Sequence, residues 1–481
     1  MKKIRLLVAI FGAICLTSCF EDNDDVITPA SASEINDFVW KAMNIVYLYK
    51  SEIPNLADDR FNNNSEYSAY LNSFSTPEAL FESLLFDRQT IDRFSVIVDD
   101  YIALEQRLQG VFKTNGMELI PYALGSSPTD VFYLVTLVLP GSDAEAKGVK
   151  RGDIFGQVNG TTITRSNFRE LLSDDVYTIN LGTYDTKGTP TNADDTIDPN
   201  GTDITLEKFQ FTEDPIFINE VFQVNGENVG YLMYNGFTAG SETGLNTVFA
   251  NFKANNIQHL VLDLRYNPGG SVQTTTYLAS MITGQFTGQV FEKLIYNENL
   301  QSLNQDYLFA DSFGGNTINS VSLNKIYVLT TDRSASASEG LINGLKSYID
   351  VIQIGEATTG KTQASRIFYD SGVENGFRRQ GANPSHTYAI QPLIANGVNK
   401  NLESVPGTGL PPSIGFEYSE NILNLGVLGD INEPMLALAL ADIENSTTKR
   451  NSIKSTQLEV KKLDFSDKDV LLFKEGGMIA D

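Results

Sequence analysis

Between Val221 and Ile443, four short apolar runs, VGYLMYNGF, HLVLDLRYN, KIYVLTT and VIQIGE, alternate with stretches of helical periodicity. Runs this apolar suit strands buried on both faces. Neighbouring parallel strands need a long crossover, and residues 242–254 and 339–349 have the helical pattern to supply it. The alternation predicts an α/β core over residues 213–443. On either side of it the period changes. In residues 33–100, Phe38, Met43, Val46 and Tyr47 recur at roughly helical spacing, and 75–86 reads similarly, so a small helical N-terminal domain is expected. Residues 101–212 carry β-branched runs such as VFYLVTLVL between turn signals and predict a mostly β domain. Residues 183–205 read as a long polar hairpin loop; its acids lack the Asp that opens a calcium loop, since Thr196 stands there. The charged tail 444–481 is expected to be peripheral.

Composition removes several chemistries. Cys15 and Cys19 are the two cysteines, so the folded body has no disulfide, no cysteine zinc site and no cysteine nucleophile. The two histidines are His259 and His386. A net charge of −25 argues against nucleic acid as a partner, because phosphates are repelled.

The start, MKKIRLLVAIFGAICLTSC, has a basic end, an apolar run and small residues before a cysteine, which is a secretory signal layout. The ending LTSC resembles the bacterial lipoprotein signal. That resemblance implies removal of residues 1–18, acylation of Cys19, and an acidic tether over 19–32. The run FEDNDD resembles the surface-export tag of lipoproteins in Bacteroidetes-like bacteria. The expected location is the cell envelope, at the outer membrane, with the membrane as a partner through the lipid.

Three segments of the α/β region have the makings of a reaction site. In LDLRYNPGG, 262–270, an apolar strand runs into two glycines that free the backbone to aim N–H groups at an oxyanion. In TTDRSASASEGLINGLK, 330–346, a strand passes through small residues into an amphipathic helix. Its N-terminus offers free donors and positive potential beside Ser336. In GEATTGK, 355–361, glycines flank a lone lysine at the start of a strand.

Together LDLRYNPGG, SASASEG and GEATTGK resemble the C-terminal processing, or tail-specific, serine peptidases. The resemblance covers roughly residues 101–440. It implies an α/β peptidase core of the ClpP/crotonase-like kind with an inserted, mostly β PDZ domain. The middle serine of SASASE, Ser336, is then the nucleophile and Lys361, 25 residues on, the general base. Glu339 and Thr358 fall where the family has its supporting Glu and Thr. The segment PGSDAEAKGVKRGDIFGQVNG, 140–160, resembles a PDZ domain, and Asn115, Gly116 and Met117 are the candidate nest for a terminal carboxylate. Expected substrates are proteins or peptides with apolar C-termini, with no cofactor and no metal.

The dyad suits a body with no histidine in these motifs. A free lysine has a pKa of about 10.4, and burial must lower it by about 3 units to make it a base at neutral pH. Lys361 is therefore expected to be buried with no carboxylate beside it. The oxyanion is expected between the amide of Ala337 and that of Gly269 or Gly270. Two positions depart from the family: Ser347 stands where some members have Asp, and Ser365 where others have Gln. Gln363 and Ser365 share the face of Lys361 if a strand begins there, and either is placed to orient the amine. The competing readings are an inactive, peptide-holding lipoprotein and a related α/β fold acting on acyl thioesters, against which the PDZ-like segment and Lys361 argue.

Overall fold

The four apolar runs do form a parallel sheet. Strands Glu227–Tyr234, His259–Asp263, Lys325–Thr330 and Asp350–Gly355 lie side by side, and Ile216–Val224 pairs antiparallel with the first. The computed structural model describes residues 30–454 and 478–479; the leader, Cys19 and most of the tether lie outside them. Alternate side chains divide between two layers. Leu232, Leu262 and Val328 face the helices Glu242–Ala254, Val272–Thr283 and Ala337–Lys346. Met233, Val261, Tyr327 and Leu329 face the opposite layer, closed by the helix Pro434–Ile443. The helix Val272–Thr283 has no amphipathic stripe to betray it. Thr275, Thr276, Ser280 and Thr283 are buried, and each hydroxyl donates to the carbonyl four residues back.

A second sheet contains the strands Gln305–Leu308, Val290–Tyr296, Leu393–Asn399 and Gln363–Ser365, with Met478–Ile479 added in parallel. The expected N-terminal helices Ala32–Val46, Asn64–Asn72 and Pro77–Ser83 form, and they pack on this sheet. Ile35, Phe38, Val39 and Met43 share one apolar cluster with Leu294, Ala364, Ile390 and Ile394. Three short helices cannot enclose their own apolar faces, and this sheet is the layer that covers them. The helix Tyr101–Leu108 also belongs here, since Tyr101 packs on Tyr369 and Ala389. The β-rich insert therefore begins near Val111, where Val111–Thr114 pairs with Phe209–Thr212 and closes the insert as a two-stranded stem.

Within the insert run the strands Met117–Ala123, Val131–Val138, Ile154–Val158, Val176–Asp185 and Thr196–Glu207. Most of 183–205 is thus strand rather than loop. One face of the insert holds its own core of Tyr133, Val135, Phe155 and Ile179. The other receives Ile422 and Leu425 from the segment that precedes the helix Pro434–Ile443.

Ionic contacts reinforce that junction. Arg265 is wholly buried, two residues beyond the strand His259–Asp263. It donates to Asp263 (2.8 Å), to Glu433 (2.7 and 2.9 Å) and to Glu420 (3.1 Å). Arg151 of the insert reaches the same Glu420 at 2.5 Å and the Tyr266 hydroxyl at 2.6 Å. Burial alone would raise the pKa of Glu420, but Arg151 and Arg265 outweigh it and bring it down to about 2. Replacing Arg265 by Met leaves Asp263 and Glu433 buried without their cation. The expected loss is about 3–5 kcal/mol of stability, read from the urea midpoint; a loss below about 1 kcal/mol would show that this cluster does not hold the loop after the strand.

Candidate active site

Ser336 sits where the strand Lys325–Thr330 turns into the helix Ala337–Lys346, and its side chain is fully buried, at 0% exposure. Its backbone has φ 58° and ψ −112°, a conformation that L residues seldom adopt and that costs on the order of 1–3 kcal/mol. Such strain persists only where the surroundings fix it. The adjacent parallel strand, His259–Asp263, ends at the same edge, so its loop 265–270 lies against this turn. The approach requires glycine. A Cβ on Gly269 (φ +108°) would lie 2.8 Å from both the Ser336 Cβ and the Ala337 amide nitrogen, and one on Gly270 would meet the Phe237 carbonyl at 2.3 Å.

The two glycines differ in what their amides do. Gly269 N–H donates to Asn267 Oδ1 at 2.9 Å, so it is not available to an oxyanion. The Gly270 and Ala337 amides meet no acceptor among the described residues. Of the expected amides, those of Gly270 and Ala337 are thus the ones left open to an acceptor.

Glu339, on the first turn of the helix, joins the serine turn to the lysine turn. Its Oε2 accepts the Ser336 amide at 2.7 Å and the Lys361 amide at 2.9 Å; its Oε1 accepts the Gly360 amide at 2.7 Å and the Thr358 hydroxyl. Thr358 Oγ1 in turn accepts the Leu410 amide at 2.7 Å. Burial raises the pKa of Glu339, and these four donors oppose the rise.

Lys361 is 4% exposed, with its pKa lowered to about 8 by burial. One expectation about it is corrected. Two carboxylates, Asp92 and then Glu339, act on Lys361 and hold the pKa up against burial. They are tolerated because neither is a bare charge: each carboxylate is filled by neutral donors. Asp92 is wholly buried and accepts from the Tyr47 hydroxyl (2.6 Å) and the Ser95 amide (2.9 Å). Gln363 and Ser365 are engaged elsewhere in part: the Gln363 amide donates to the Tyr49 hydroxyl and Ser365 Oγ accepts from Gln391, both at 2.9 Å. The histidines stand apart, His259 on Glu227 at 2.8 Å and His386 on Asp370 at 3.1 Å.

The expected carboxylate nest is closed in this structure. Gly116 N–H donates to Thr114 Oγ1 at 2.9 Å, and Met117 N–H to Asn115 Oδ1 at 3.2 Å. Side chains of the turn itself satisfy the amides that a ligand would need.

A family model described as "Peptidase family S41" matches residues 228–375, and one described as "Peptidase S41 N-terminal domain" matches residues 34–96. A carboxyl-terminal-processing protease of Picosynechococcus sp. is 25% identical over 416 residues, covering 81% of this chain and 89% of that protein. A probable CtpA-like serine protease of Staphylococcus epidermidis is 26% identical over 50% of this chain and 44% of that protein. The crystal structure of a putative S41 protease from Bacteroides fragilis superposes with a TM-score of 0.67 at 26% identity, covering 85% of this chain and 97% of that one. The chain belongs to peptidase family S41. It is a serine-type peptidase.

In this S41 peptidase the sequence motifs do not reveal Asp92, Arg93 and Phe94, which approach Lys361 from the N-terminal region. Arg93 donates to the Thr359 carbonyl at 2.9 Å, and the Phe94 ring lies 5.1 Å from Lys361 Nζ. A short charged stretch before a three-residue strand has no periodicity to mark it; its one signal is an Asp followed by an aromatic residue and a strand. For Glu339→Gln, the lost charge and the amide turned on backbone donors loosen both turns. A 1 Å misplacement of reacting groups costs about 100-fold, so kcat should fall by about that factor with KM nearly unchanged. A variant within threefold of wild-type kcat would show that the carboxylate does not position them.

Proposed function

We propose that the chain is a Ser/Lys endopeptidase that cleaves proteins near their C-termini. The observation that carries this reading is the buried Lys361, with a pKa of about 8, tied through one carboxylate oxygen to the turn of Ser336. In its neutral form the amine takes the Ser336 Oγ proton as Oγ attacks the scissile carbonyl. The oxyanion lies between the Gly270 and Ala337 amides, at the N-terminus of the helix. The ammonium then gives its proton to the leaving amine, an ester to Ser336 remains, and Lys361 activates water to release it.

The finer parts of the reading rest on sequence and geometry together. The core is taken as ClpP/crotonase-like, and the insert 111–212 as a PDZ domain that selects apolar C-termini. Its closed amide turn at Gly116 and Met117 must open to hold a carboxylate. Ser336 is wholly buried, and Arg333 beside it contacts Glu118 and the Thr136 hydroxyl of the insert, each at 3.4 Å. These contacts support a gate in which the insert moves to admit substrate. Anchoring through acylated Cys19 at the outer membrane follows from the leader.

The test uses the chain lacking residues 1–19 on an unfolded protein with an apolar C-terminus, beside Ser336→Ala and Lys361→Ala. Both variants should lose activity by at least about 100-fold. Wild-type kcat/KM should climb about tenfold per pH unit up to about pH 8 and then level, as the lysine becomes neutral. Retained activity in Lys361→Ala, or a limb centred near pH 6.5, would overturn the lysine base. Equal rates on a substrate ending in aspartates would remove the selectivity assigned to the insert.

A further inference from the structure

Three consecutive residues from the N-terminal region are fastened around the lysine. Arg93 donates to the carbonyls of Thr359 (2.9 Å), Gly360 (3.3 Å) and Gly407 (3.3 Å), so it clamps the turn that carries Lys361. The Phe94 ring lies between two cations, 4.6 Å from the Arg93 guanidinium and 5.1 Å from Lys361 Nζ. Ser95 Oγ accepts the Leu393 amide at 2.9 Å and joins the segment to the second sheet.

Asp92 stands at the head of this segment and is 0% exposed. The partners of its carboxylate are neutral: the Tyr47 hydroxyl on Oδ2 at 2.6 Å, and the amides of Ser95 (2.9 Å) and Phe94 (3.3 Å) on Oδ1, while the Arg88 guanidinium donates to its backbone carbonyl at 2.8 Å. Among the described residues no basic side chain lies within ion-pair distance of the carboxylate. An ionised carboxylate at such depth is costly without a compensating charge. Phe94, whose amide donates to Asp92, has its ring 5.1 Å from Lys361 Nζ, so the buried cation beside this carboxylate is Lys361, and Asp92 opposes the fall of the amine's pKa ahead of Glu339. The other, Glu339, has both oxygens taken by Thr358 and the backbone of both turns. The remaining groups around Asp92 keep their charge state in an assay range of pH 6 to 9. Tyr47 and Tyr49 stay neutral, since burial first and Asp92 second raise their pKa values, that of Tyr49 to about 12.

We propose that Asp92 is a positioning residue for the lysine base, a fixed counter-charge for the ammonium that forms when Lys361 takes the Ser336 proton. The inference rests on the Ser336–Lys361 reading above. Lys361 is 4% exposed, so bulk solvent does little to stabilise the full positive charge that the base gains. A carboxylate already held by three hydrogen bonds stabilises that charge without reorganising. Asp92 thereby also keeps the amine basic enough to pull the proton, where burial alone would carry its pKa lower still.

The sign of the effect is definite. Asp92 favours the ammonium, so removing its charge favours the neutral amine and moves the acidic limb of kcat/KM to lower pH, by about one unit. The plateau kcat should fall by about tenfold or more, because the remaining base is weaker, and KM should not change. Asp92→Asn and Asp92→Ser are measured over pH 6 to 9; the serine keeps an acceptor for the Ser95 amide should the asparagine fail to fold. Asp92→Glu should return the limb to its wild-type position. A uniform loss of rate with the limb unmoved, in a variant that unfolds as cooperatively as wild type, would reduce Asp92 to a structural residue. Lys361→Ala in the same series separates the two claims: if it is inactive while the Asp92 variants keep the wild-type limb, this inference alone falls, and if it is active the dyad falls as well.

Discussion

The arrangement of the site depends on one buried carboxylate. Glu339 accepts from the Ser336, Lys361 and Gly360 amides and from the Thr358 hydroxyl, so four donors converge on two oxygens. Removing this charge from water costs several kcal/mol, which charge-assisted hydrogen bonds offset at about 1.5–3 kcal/mol each. The result is that two turns, one between a strand and a helix and the other between the strands Asp350–Gly355 and Gln363–Ser365, cannot shift independently. That constraint also explains how Ser336 keeps φ 58° without being glycine. A strained residue needs its amide held, and the Glu339 oxygen that holds it is the one that holds Lys361.

Sheet order does the rest of the positioning. In a parallel sheet, neighbouring strands deliver their following loops to the same edge. The strands His259–Asp263 and Lys325–Thr330 are neighbours, so the Asn267–Gly270 turn and the Ser336 turn must meet there. Their contact is closer than any side chain would allow at Gly269. Asn267 sharpens the outcome, since its Oδ1 takes the Gly269 amide and leaves Gly270 to face the serine turn. The buried Arg265 begins this loop, and its ties to Asp263 and Glu433 fix where the loop departs from the strand.

How much was legible in the sequence follows from how local each feature is. The four apolar strands, the helix Glu242–Ala254 and the three motifs lie within short stretches, and composition and period mark them. Glu339 and Thr358 were legible through the family pattern. Asp92 was not: its proposed partner is 269 positions away, and the one local signal, an Asp followed by an aromatic residue and a short strand, points to no role. The same holds for Arg151 and Glu420, which meet across the insert boundary. The helical N-terminal segment was legible as helix, but not its merger with the second sheet, because amphipathicity says which face is buried and not what buries it. At Asn115 to Met117 the residue types were those of a nest, while the side chains that close it lie in the same turn.

The N-terminal segment contacts the turn of Lys361 and the insert contacts Arg333 beside Ser336, and their attachments differ in kind. Arg93 and Ser95 bind backbone groups of the lysine turn and the second sheet, with Asp92 held by Tyr47 from the same layer. Such contacts fix the lysine environment as rigidly as the core itself. The insert is attached through the stem Val111–Thr114 with Phe209–Thr212, through Ile422 and Leu425, and through Arg151. Its contact nearest Ser336, Arg333 to Glu118, is long at 3.4 Å. Motion that would uncover the wholly buried Ser336 therefore breaks fewer backbone contacts on the side of the insert. On that ground the proposed gate is assigned to the insert, and the proposed counter-charge for Lys361 to the segment fastened to the second sheet.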